Sequence, residues 1–241
     1  MKSKIINNYK INAFTSKREF LDQIMHSKKI LVAMNAEKII KNDTSLVDIV
    51  NNNIGYPDGI GAVMALRING ISAIKIAGSE FWLDIVKKFK TSKTFYFIGS
   101  TTEIIESTVQ KLKKEHPEIK IVGHRNGFLS PEDKLELAHS LKETQPDVVF
   151  VAQGSPRQEF LMNELIKEHP ALYMGLGGSF DIYGGQKKRA PKFFLKLELE
   201  WLYRLLQEPT RIGRQLSLVK FLALLASTPF STPRNNIVFQ K

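Results

Sequence analysis

The segment Ile54-Gly55-Tyr56-Pro57-Asp58-Gly59-Ile60-Gly61 places one carboxylate between a proline and a glycine. Pro57 fixes its own φ and favours an extended conformation for the residue before it. Gly59 tolerates backbone angles that other residues avoid. We therefore predict that Asp58 lies on a turn and that the apolar run 60–68 after it forms a buried helix.

Asp58 has two uses at a junction of this kind, and the local pattern leaves both open. Its oxygens can accept hydrogen bonds from the free N–H groups of the following helix, as an N-cap. The same carboxylate can act as a general base that faces a cleft. Caps are much the commoner of the two, so the local pattern alone favours a cap.

The composition is that of one large α/β domain, or of one domain with an appendage. The chain has 241 residues, of which 43% are hydrophobic, enough for a sizeable core. It contains no cysteine, which excludes disulfides, thiol nucleophiles and thiolate metal sites. Residues 1–10 are polar and predict no signal peptide, and the longest apolar run, 216–226, is too short to span a bilayer.

Beyond the Asp58 segment, apolar runs typical of strands alternate with amphipathic runs typical of helices. The predicted strands are residues 29–34, 72–77, 93–98, 119–122, 147–152 and 171–176. The predicted helices are 16–25, 44–53, 78–90, 100–115 and one that begins at Ser130-Pro131. This alternation favours an α/β fold with a Rossmann-like, mostly parallel sheet and helices on both faces.

The pattern changes after Gly185, where strands stop and two amphipathic helices, 191–206 and 210–226, remain. We therefore predict an α/β core at 1–185 and a C-terminal helical appendage with a loose tail at 186–241. Of the nine arginines, five lie in the last 53 residues: Arg189, Arg204, Arg211, Arg214 and Arg234. A basic face beside an apolar one suits an anionic membrane surface, and it equally suits a helix packed on the core.

Three segments have features of anion sites. In the first, 153–159, Ser155 fits a helix N-cap, Pro156 the first turn and Gln158 the reciprocal partner of a capping box. A helix N-terminus at the carboxyl end of a strand can bind phosphate through its free N–H groups and dipole. Taken alone, this segment is more typical of an ordinary capped helix.

The second segment, Gly175-Leu176-Gly177-Gly178-Ser179-Phe180-Asp181, follows a predicted strand and permits close approach of the backbone to a ligand. It lacks the last glycine of the dinucleotide fingerprint, which disfavours a nicotinamide-dependent oxidoreductase. The third, the basic run 187–192, is more typical of a solvated loop on charge alone. A nucleic-acid-binding protein is disfavoured, because the arginines cluster beside an apolar helix rather than among exposed aromatic residues.

No metal site is predicted. The five histidines form no pair at a spacing of i, i+4, and the aspartates form no D-x-D pair. The metal clamp common in enzymes that use nucleotide sugars is therefore missing from the pattern.

Six ordered blocks of sequence together resemble the WecG/TagA/CpsF glycosyltransferases over about residues 29–222. The blocks are Asn35-Ala36-Glu37, Asp58-Gly59, Ala77-Gly78, Gly154-Ser155-Pro156-Arg157-Gln158-Glu159, the glycine-rich segment 175–181 and Arg189-Ala190-Pro191. The run Leu199-Glu200-Trp201-Leu202-Tyr203-Arg204-Leu205-Leu206, with Pro209 and Arg211 after it, completes the match. Segments 32–38 and 211–216 are most similar to the enterobacterial common antigen branch.

The resemblance implies a metal-independent, inverting transfer of N-acetyl-D-mannosaminuronic acid from its UDP donor to undecaprenyl-diphosphate-linked N-acetylglucosamine. It implies peripheral attachment to the cytoplasmic face of the inner membrane, no cofactor and no nucleic-acid partner. Whether the protein forms a homo-oligomer is left open. The nearest alternative on the same fold is transfer of N-acetylmannosamine, as in teichoic acid linkage synthesis.

The resemblance also implies roles for single residues. Asp58 matches the family's proposed general base, which favours that role over the cap. The residues implied in substrate binding are Asn35, Gly78, Gly154, Ser155, Gln158, Gly177, Gly178, Asp181, Arg189, Arg204, Arg211 and Arg214. The positions that depart from the family pattern are Ala33, a threonine in the teichoic acid branch, Lys75, usually arginine, and Glu80, usually aspartate.

Overall fold

The computed structural model describes residues 2–186 and, beyond them, Pro191, Phe193, Phe194, Tyr203, Lys220, Phe221, Ala223 and Leu225. Within 2–186 the strands are β1 Lys2–Ile6, β2 Tyr9–Ala13, β3 Ile30–Met34, β4 Ile54–Pro57, β5 Thr94–Gly99, β6 Lys120–Arg125, β7 Val148–Ala152 and β8 Leu172–Gly175. The helices there are α1 Lys17–Ile24, α2 Ala36–Lys41, α3 Thr44–Asn51, α4 Ile60–Ile68, α5 Gly78–Phe89, α6 Thr102–Glu115, α7 Pro131–Thr144, α8 Arg157–Glu168 and α9 Ser179–Tyr183.

The eight strands form one sheet in the order β1-β2-β4-β3-β8-β7-β5-β6. Only the β1–β2 pair is antiparallel among these strands, and every other neighbouring pair is parallel. The predicted mostly parallel sheet is therefore confirmed. Because parallel strands end at the same edge, the loops that follow β3, β4, β5, β7 and β8 are gathered on one side of the molecule.

Helices cover both faces of the sheet, as predicted. The first face carries α2, α3, α4, α7 and α8, whose apolar side chains join one core cluster. The second face carries α1, α5, α6 and α9 and a second cluster that is rich in aromatic rings. On that face the rings of Phe20 and Phe81 stack at 4.6 Å, and Trp82 meets Phe180 edge-on at 5.8 Å. Each face thus has its own core.

The N-terminal hairpin of β1 and β2 is a feature that the sequence pattern did not predict. Its two-residue turn is Asn7-Asn8, and both residues have positive φ, 46° and 70°. Asparagine accepts this conformation more readily than most residues, and a turn of this kind matches the twist of a hairpin. The alternating apolar residues of β2, Tyr9 and Ile11, are fully buried. The many polar residues of this segment obscured the alternating pattern that predicts a strand.

Around the Asp58 segment, the sequence analysis missed one strand and predicted another wrongly. Residues 54–57 form a central strand, β4, although they contain a glycine and end on a proline. Gly55 is required there, because an added Cβ would lie 2.7 Å from the carbonyl oxygen of Lys10 in the neighbouring strand β2. Conversely, the predicted strand 72–77 is wrong. That segment has no regular secondary structure, and it makes isolated hydrogen bonds such as Ile76 N–H to Pro57 O at 2.8 Å.

The helix starts agree with prediction at two places and differ at a third. Ser130 caps α7 with Asp133 as its reciprocal partner, and the Ser16 hydroxyl caps α1. The helix predicted at 100–115 begins later than expected, because Thr101 is its N-cap and Thr102 its first residue. Ser100 instead has a φ of 56°, which turns the chain before the helix begins.

Part of the predicted C-terminal appendage is described. Phe193, Phe194, Tyr203, Lys220, Phe221, Ala223 and Leu225 are helical, and the rest of 187–241 apart from Pro191 lies outside the described residues. Phe221 is fully buried in the core cluster of the first face, and its ring would lie 3.1 Å from a Cβ added to Gly61. The division at residue 185 stays a prediction. No helix of the described residues is long and apolar enough to cross a membrane.

Candidate functional site

The topology predicts a crevice at the carboxyl end of β8, because the helices that follow neighbouring strands lie on opposite faces. α2 follows β3 and α8 follows β7, and both pack on the first face. α9 follows β8 and packs on the second face. Since β3 and β7 flank β8, the segment that leaves β8 passes between the N-termini of α2 and α8. Open α/β sheets bind their ligands in crevices of this kind.

Asp58 leaves β4 at the same edge of the sheet. Its Oδ1 accepts a hydrogen bond from the N–H of Gly78 at 2.7 Å. Gly78 is the first residue of α5, so the carboxylate caps a helix, but not the one that follows it in sequence. The N-cap of α4 is Gly59, which has no side chain with which to cap that helix. The turn and the helix 60–68 are confirmed, whereas the local cap is wrong, because Gly59 stands between Asp58 and the helix.

Tyr56 lies beside Asp58 and was missed by the sequence analysis. Its hydroxyl would lie 2.5 Å from a Cβ on Gly78, so only glycine fits at that position. The hydroxyl is buried and has no hydrogen-bond partner among the described residues. Burial, and then the charges of Asp58 and Glu159, raise the pKa of Tyr56 well above its ordinary value. Tyr56 therefore stays protonated and keeps a hydrogen to donate.

Asn35 occupies the carboxyl end of β3, next to the Asp58 turn. Its Oδ1 accepts from the N–H of Lys38 at 2.9 Å, so it is the N-cap of α2. A Cβ on Gly59 would lie 3.5 Å from the Cβ of Asn35, and Asp58 N–H donates to Met34 O at 3.0 Å. Two predicted site residues, Asn35 and Asp58, are therefore brought together by adjacent strands.

Gln158 is buried in the first turn of α8, and its contacts differ from the predicted ones. The sequence predicted a capping box between Ser155 and Gln158. In the structure the N-cap is Pro156, and no described side chain caps α8. The peptide bond between Ser155 and Pro156 is cis. Instead of reaching back, Gln158 accepts from the N–H of Gly177 at 2.8 Å, which ties α8 to the segment that leaves β8.

A buried ion pair joins α2 to α8 close to this contact. Lys38 Nζ of α2 lies 2.7 Å from Glu159 Oε1 of α8, and the two side chains are only 10% and 1% exposed. The second carboxylate oxygen, Oε2, is buried without a hydrogen-bond partner among the described residues. Sequence patterns gave no sign of this pair, because the two residues are 121 positions apart.

Two glycines expose backbone to the crevice region. Gly154 follows β7 with a φ of 77°, and Gly177 follows β8 with a φ of 59°. No described atom lies within 4 Å of a Cβ added at either position. Glycine is therefore needed for the backbone conformation and not to avoid a neighbour. The exposed Gly178 is the N-cap of α9, which no described side chain caps.

Asp181 lies on the far side of the same loop. Its Oδ1 accepts from the hydroxyl of Ser100 at 2.6 Å, so α9 is tied to the end of β5. The positive φ of Ser100 brings this hydroxyl toward Asp181. A serine in that conformation is uncommon, and the sequence gave no signal that separates it from an ordinary cap.

The remaining predicted site residues, Arg189, Arg204, Arg211 and Arg214, lie outside the described residues. Of the predicted site residues that are described, Asn35, Asp58 and Gly78 meet around the end of β4. Gln158 and Gly177 meet at the end of β8, while Gly154, Ser155 and Gly178 lie in the flanking loops and Asp181 lies in α9. Within the described part of the chain, histidine, aspartate and glutamate side chains form no group of three or more that could hold a metal ion.

This arrangement offers a fixed carboxylate, a buried phenol and the N-terminus of α8 at one edge of the sheet. A carboxylate of this kind can remove a proton, and backbone N–H groups near a helix N-terminus can bind an anion. One comparison with known proteins bears on the chemistry. The model of the "Glycosyl transferase WecG/TagA/CpsF family" matches residues 4–235 of this chain.

Proposed function

Because the chain belongs to the WecG/TagA/CpsF family of glycosyltransferases, we propose that it transfers N-acetyl-D-mannosaminuronic acid from UDP to undecaprenyl-diphosphate-linked N-acetylglucosamine. Membership makes the chain a transferase of the family's type, and the donor and acceptor are the proposal. The observation that carries it is the meeting of Asp58 with Asn35 and Gly78 beside the Gln158–Gly177 contact. Base and anion site thereby lie at one edge of the sheet.

Asp58 is the general base in this proposal. It takes the proton from the acceptor hydroxyl while the hydroxyl oxygen attacks the anomeric carbon. The bond from that carbon to the UDP oxygen breaks, and its electron pair leaves with UDP. The N–H of Gly78 holds Oδ1 of Asp58 at 2.7 Å, which fixes the direction in which the carboxylate faces. General bases of this kind contribute about 10² to 10⁴ in rate.

The departing UDP gains negative charge, and the N-terminus of α8 beside β8 can meet it. The first turn of α8 brings the positive end of a helix dipole that no described side chain caps, while the N–H groups of Gln158 and Glu159 donate to the backbone oxygens of Gly154 and Pro156. Gly154 and Gly177 have open space where a side chain would lie, so a ligand can approach the backbone on either side. In the proposal, Arg189, Arg204, Arg211 and Arg214 supply the charged donors, since arginine binds a diphosphate in a bidentate manner.

The location follows from the acceptor. A lipid-linked acceptor remains in the inner membrane, so we propose peripheral attachment to its cytoplasmic face through the segment 186–241. Sedimentation with vesicles that contain anionic lipid tests this, with a chain ending at residue 185 as the comparison. The buried Phe221 belongs to the core of the first face, so the melting temperature of that truncated chain has to be measured alongside.

The transfer is tested with purified protein, a short-chain lipid-diphosphate N-acetylglucosamine, and EDTA in the buffer. UDP-N-acetyl-D-mannosaminuronic acid is offered in one reaction and UDP-N-acetylmannosamine in another. The proposal predicts product from the uronic acid donor with EDTA present. Product from only the second donor would identify the teichoic acid type of transfer, and dependence on added metal would contradict metal independence.

A further inference from the structure

The buried pair Lys38–Glu159 contrasts with the other lysine–glutamate pairs of the same layer. Lys134 and Glu164 pair at 2.9 Å between α7 and α8, but their side chains are 44% and 54% exposed. A buried ion pair adds little stability relative to apolar side chains of similar volume, because desolvation offsets the attraction. The pair links α2 to α8 next to the Gln158 amide. We therefore expect a role for the pair other than stability.

The direction of the Gln158 amide indicates that role. The N–H of Gly177 can only donate, so the amide oxygen must face it, at 2.8 Å. The carboxylate of Glu159 can only accept, and it lies 3.4 Å from the amide nitrogen. Both neighbours require the same orientation of the amide. Without the carboxylate, the reversed amide would lose only the bond to Gly177.

Tight packing around the Gln158 amide restricts its movement. Gln158 is 5% exposed, and an added Cβ on Gly175 would overlap its amide nitrogen. The side chain therefore fills a slot against β8 from which it cannot swing away. The direction of its amide decides whether the Gly177 N–H is held or left without an acceptor, and Gly177 belongs to the loop that carries the exposed backbone.

We propose that Glu159, held by Lys38, is a positioning residue that orients the Gln158 amide and so fixes the Gly177 loop for the diphosphate of a nucleotide-sugar donor. The proposal rests on the proposed function. Lys38 neutralises the buried carboxylate and fixes its Oε1 between α2 and α8. Glu159 acts through Gln158 and does not touch the donor.

The test replaces the pair by apolar residues, in the variant Lys38→Met/Glu159→Leu. No unpaired charge is buried in this variant, so the melting temperature stays close to that of the wild type. The amide of Gln158 loses its acceptor, and UDP affinity measured by calorimetry falls about tenfold, the usual worth of a hydrogen bond to a charged group. The variant Lys38→Met/Glu159→Gln returns an acceptor oxygen and recovers part of the affinity.

The matched control is Lys134→Met/Glu164→Leu, which makes the same exchange at an exposed pair on α8 and leaves UDP affinity unchanged. Wild-type UDP affinity in the apolar variant would overturn the positioning role, while the proposed function would stand. A wild type that neither binds UDP nor transfers sugar would overturn both.

A second variant keeps the test decisive if the apolar pair does not fold. Glu159→Asp retains the charge beside Lys38 but withdraws the carboxylate from the Gln158 amide. We expect the same weakening of UDP binding, and an unchanged affinity would overturn the proposal.

Discussion

A Ser-Pro dipeptide stands at the start of both α7 and α8, yet their N-termini differ. At α7 the Ser130 hydroxyl accepts from the N–H of Asp133, and the Asp133 carboxylate returns to the N–H of Ser130. At α8 no described side chain forms a cap, and Gln158, three residues after Ser155, bonds to Gly177 instead. We call the first start closed, because side chains cap it, and the second open, because no described side chain does. At the open start the N–H groups of Gln158 and Glu159 donate to the backbone oxygens of Gly154 and Pro156.

The difference shows what separates a structural helix start from one that can bind a ligand. At α7 a capping carboxylate, that of Asp133, already occupies the positive end of the helix dipole, whereas no capping side chain does so at α8. At α8 the residue in the Asp133 position is turned toward the next strand, and the N-terminus lies at the crevice beside β8. The dipeptide itself does not decide the outcome. The difference lies in the third residue after the serine: Asp133 bonds back to the start of its own helix, whereas Gln158 bonds to Gly177 beyond the next strand.

The largest expected effect is on turnover, and it distinguishes the carboxylate of Asp58 from the carboxylate of Asp133 at the closed start of α7. Asp58→Asn keeps an oxygen that can accept from Gly78 N–H, so the variant folds with a melting temperature near that of the wild type. It loses the base, and turnover falls by about 10² to 10⁴. The matched control, Asp133→Asn, changes a carboxylate at the closed start and leaves turnover unchanged. An Asp58→Asn enzyme with wild-type turnover would refute the base.

A smaller effect is expected from a methyl group in the open backbone. Gly177→Ala adds strain at a φ of 59° and places the methyl where we expect the donor diphosphate, so UDP affinity falls about tenfold. Gly70→Ala is the matched control, because Gly70 has a φ of 72° and equally open surroundings at the far end of α4. Both variants lose about 1 kcal/mol of stability. Equal UDP affinities would show that the Gly177 loop does not meet the donor.

The two serines allow a direct test of closed against open starts. Ser130→Ala removes a formed cap and lowers the free energy of unfolding by about 1 kcal/mol. Ser155→Ala removes no cap, so its stability should change by less than about 0.5 kcal/mol. Chemical denaturation of both variants measures the difference. Equal losses would mean that Ser155 caps α8 after all.

The smallest expected effect is a pH dependence of stability that arises from Asp133 at the closed start of α7. Hydrogen bonds from the backbone and then the side chain of Ser130, helped by Arg125, lower the pKa of Asp133 from 3.8. A lowered pKa in the folded state gives stability that is present above pH 3.8 and is lost as the pH falls through the folded-state value. The free energy of unfolding should fall more steeply there for the wild type than for Asp133→Asn. Parallel pH profiles would contradict this.

The sequence predicted the fold well where a periodic pattern was long and apolar. Strands β3, β5, β7 and β8 and the helix after Asp58 were found within one or two residues, because burial on both faces leaves a continuous apolar run. The prediction failed where polar residues or special backbone carried the element. The Asn7-Asn8 hairpin looked polar, and β4 contained Gly55 and Pro57.

The positions of the candidate residues at strand ends were predictable, but their contacts were not, and their roles stay predictions. Motifs placed Asn35, Asp58, Gln158 and Gly177 near strand ends, and parallel strands gather such ends at one edge. The bond from Gly78 to Asp58 and the pair Lys38–Glu159 join residues far apart in the chain. Nothing in a local pattern fixes such partners, since they depend on which strands are neighbours.

The anomeric configuration of the transferred sugar tests the central claim most directly. If Asp58 acts as a base on the acceptor, a single displacement occurs, and nuclear magnetic resonance of the product should show the configuration opposite to that of the UDP donor. A product with the donor's configuration would contradict the account, because retention does not arise from one direct attack by the acceptor hydroxyl.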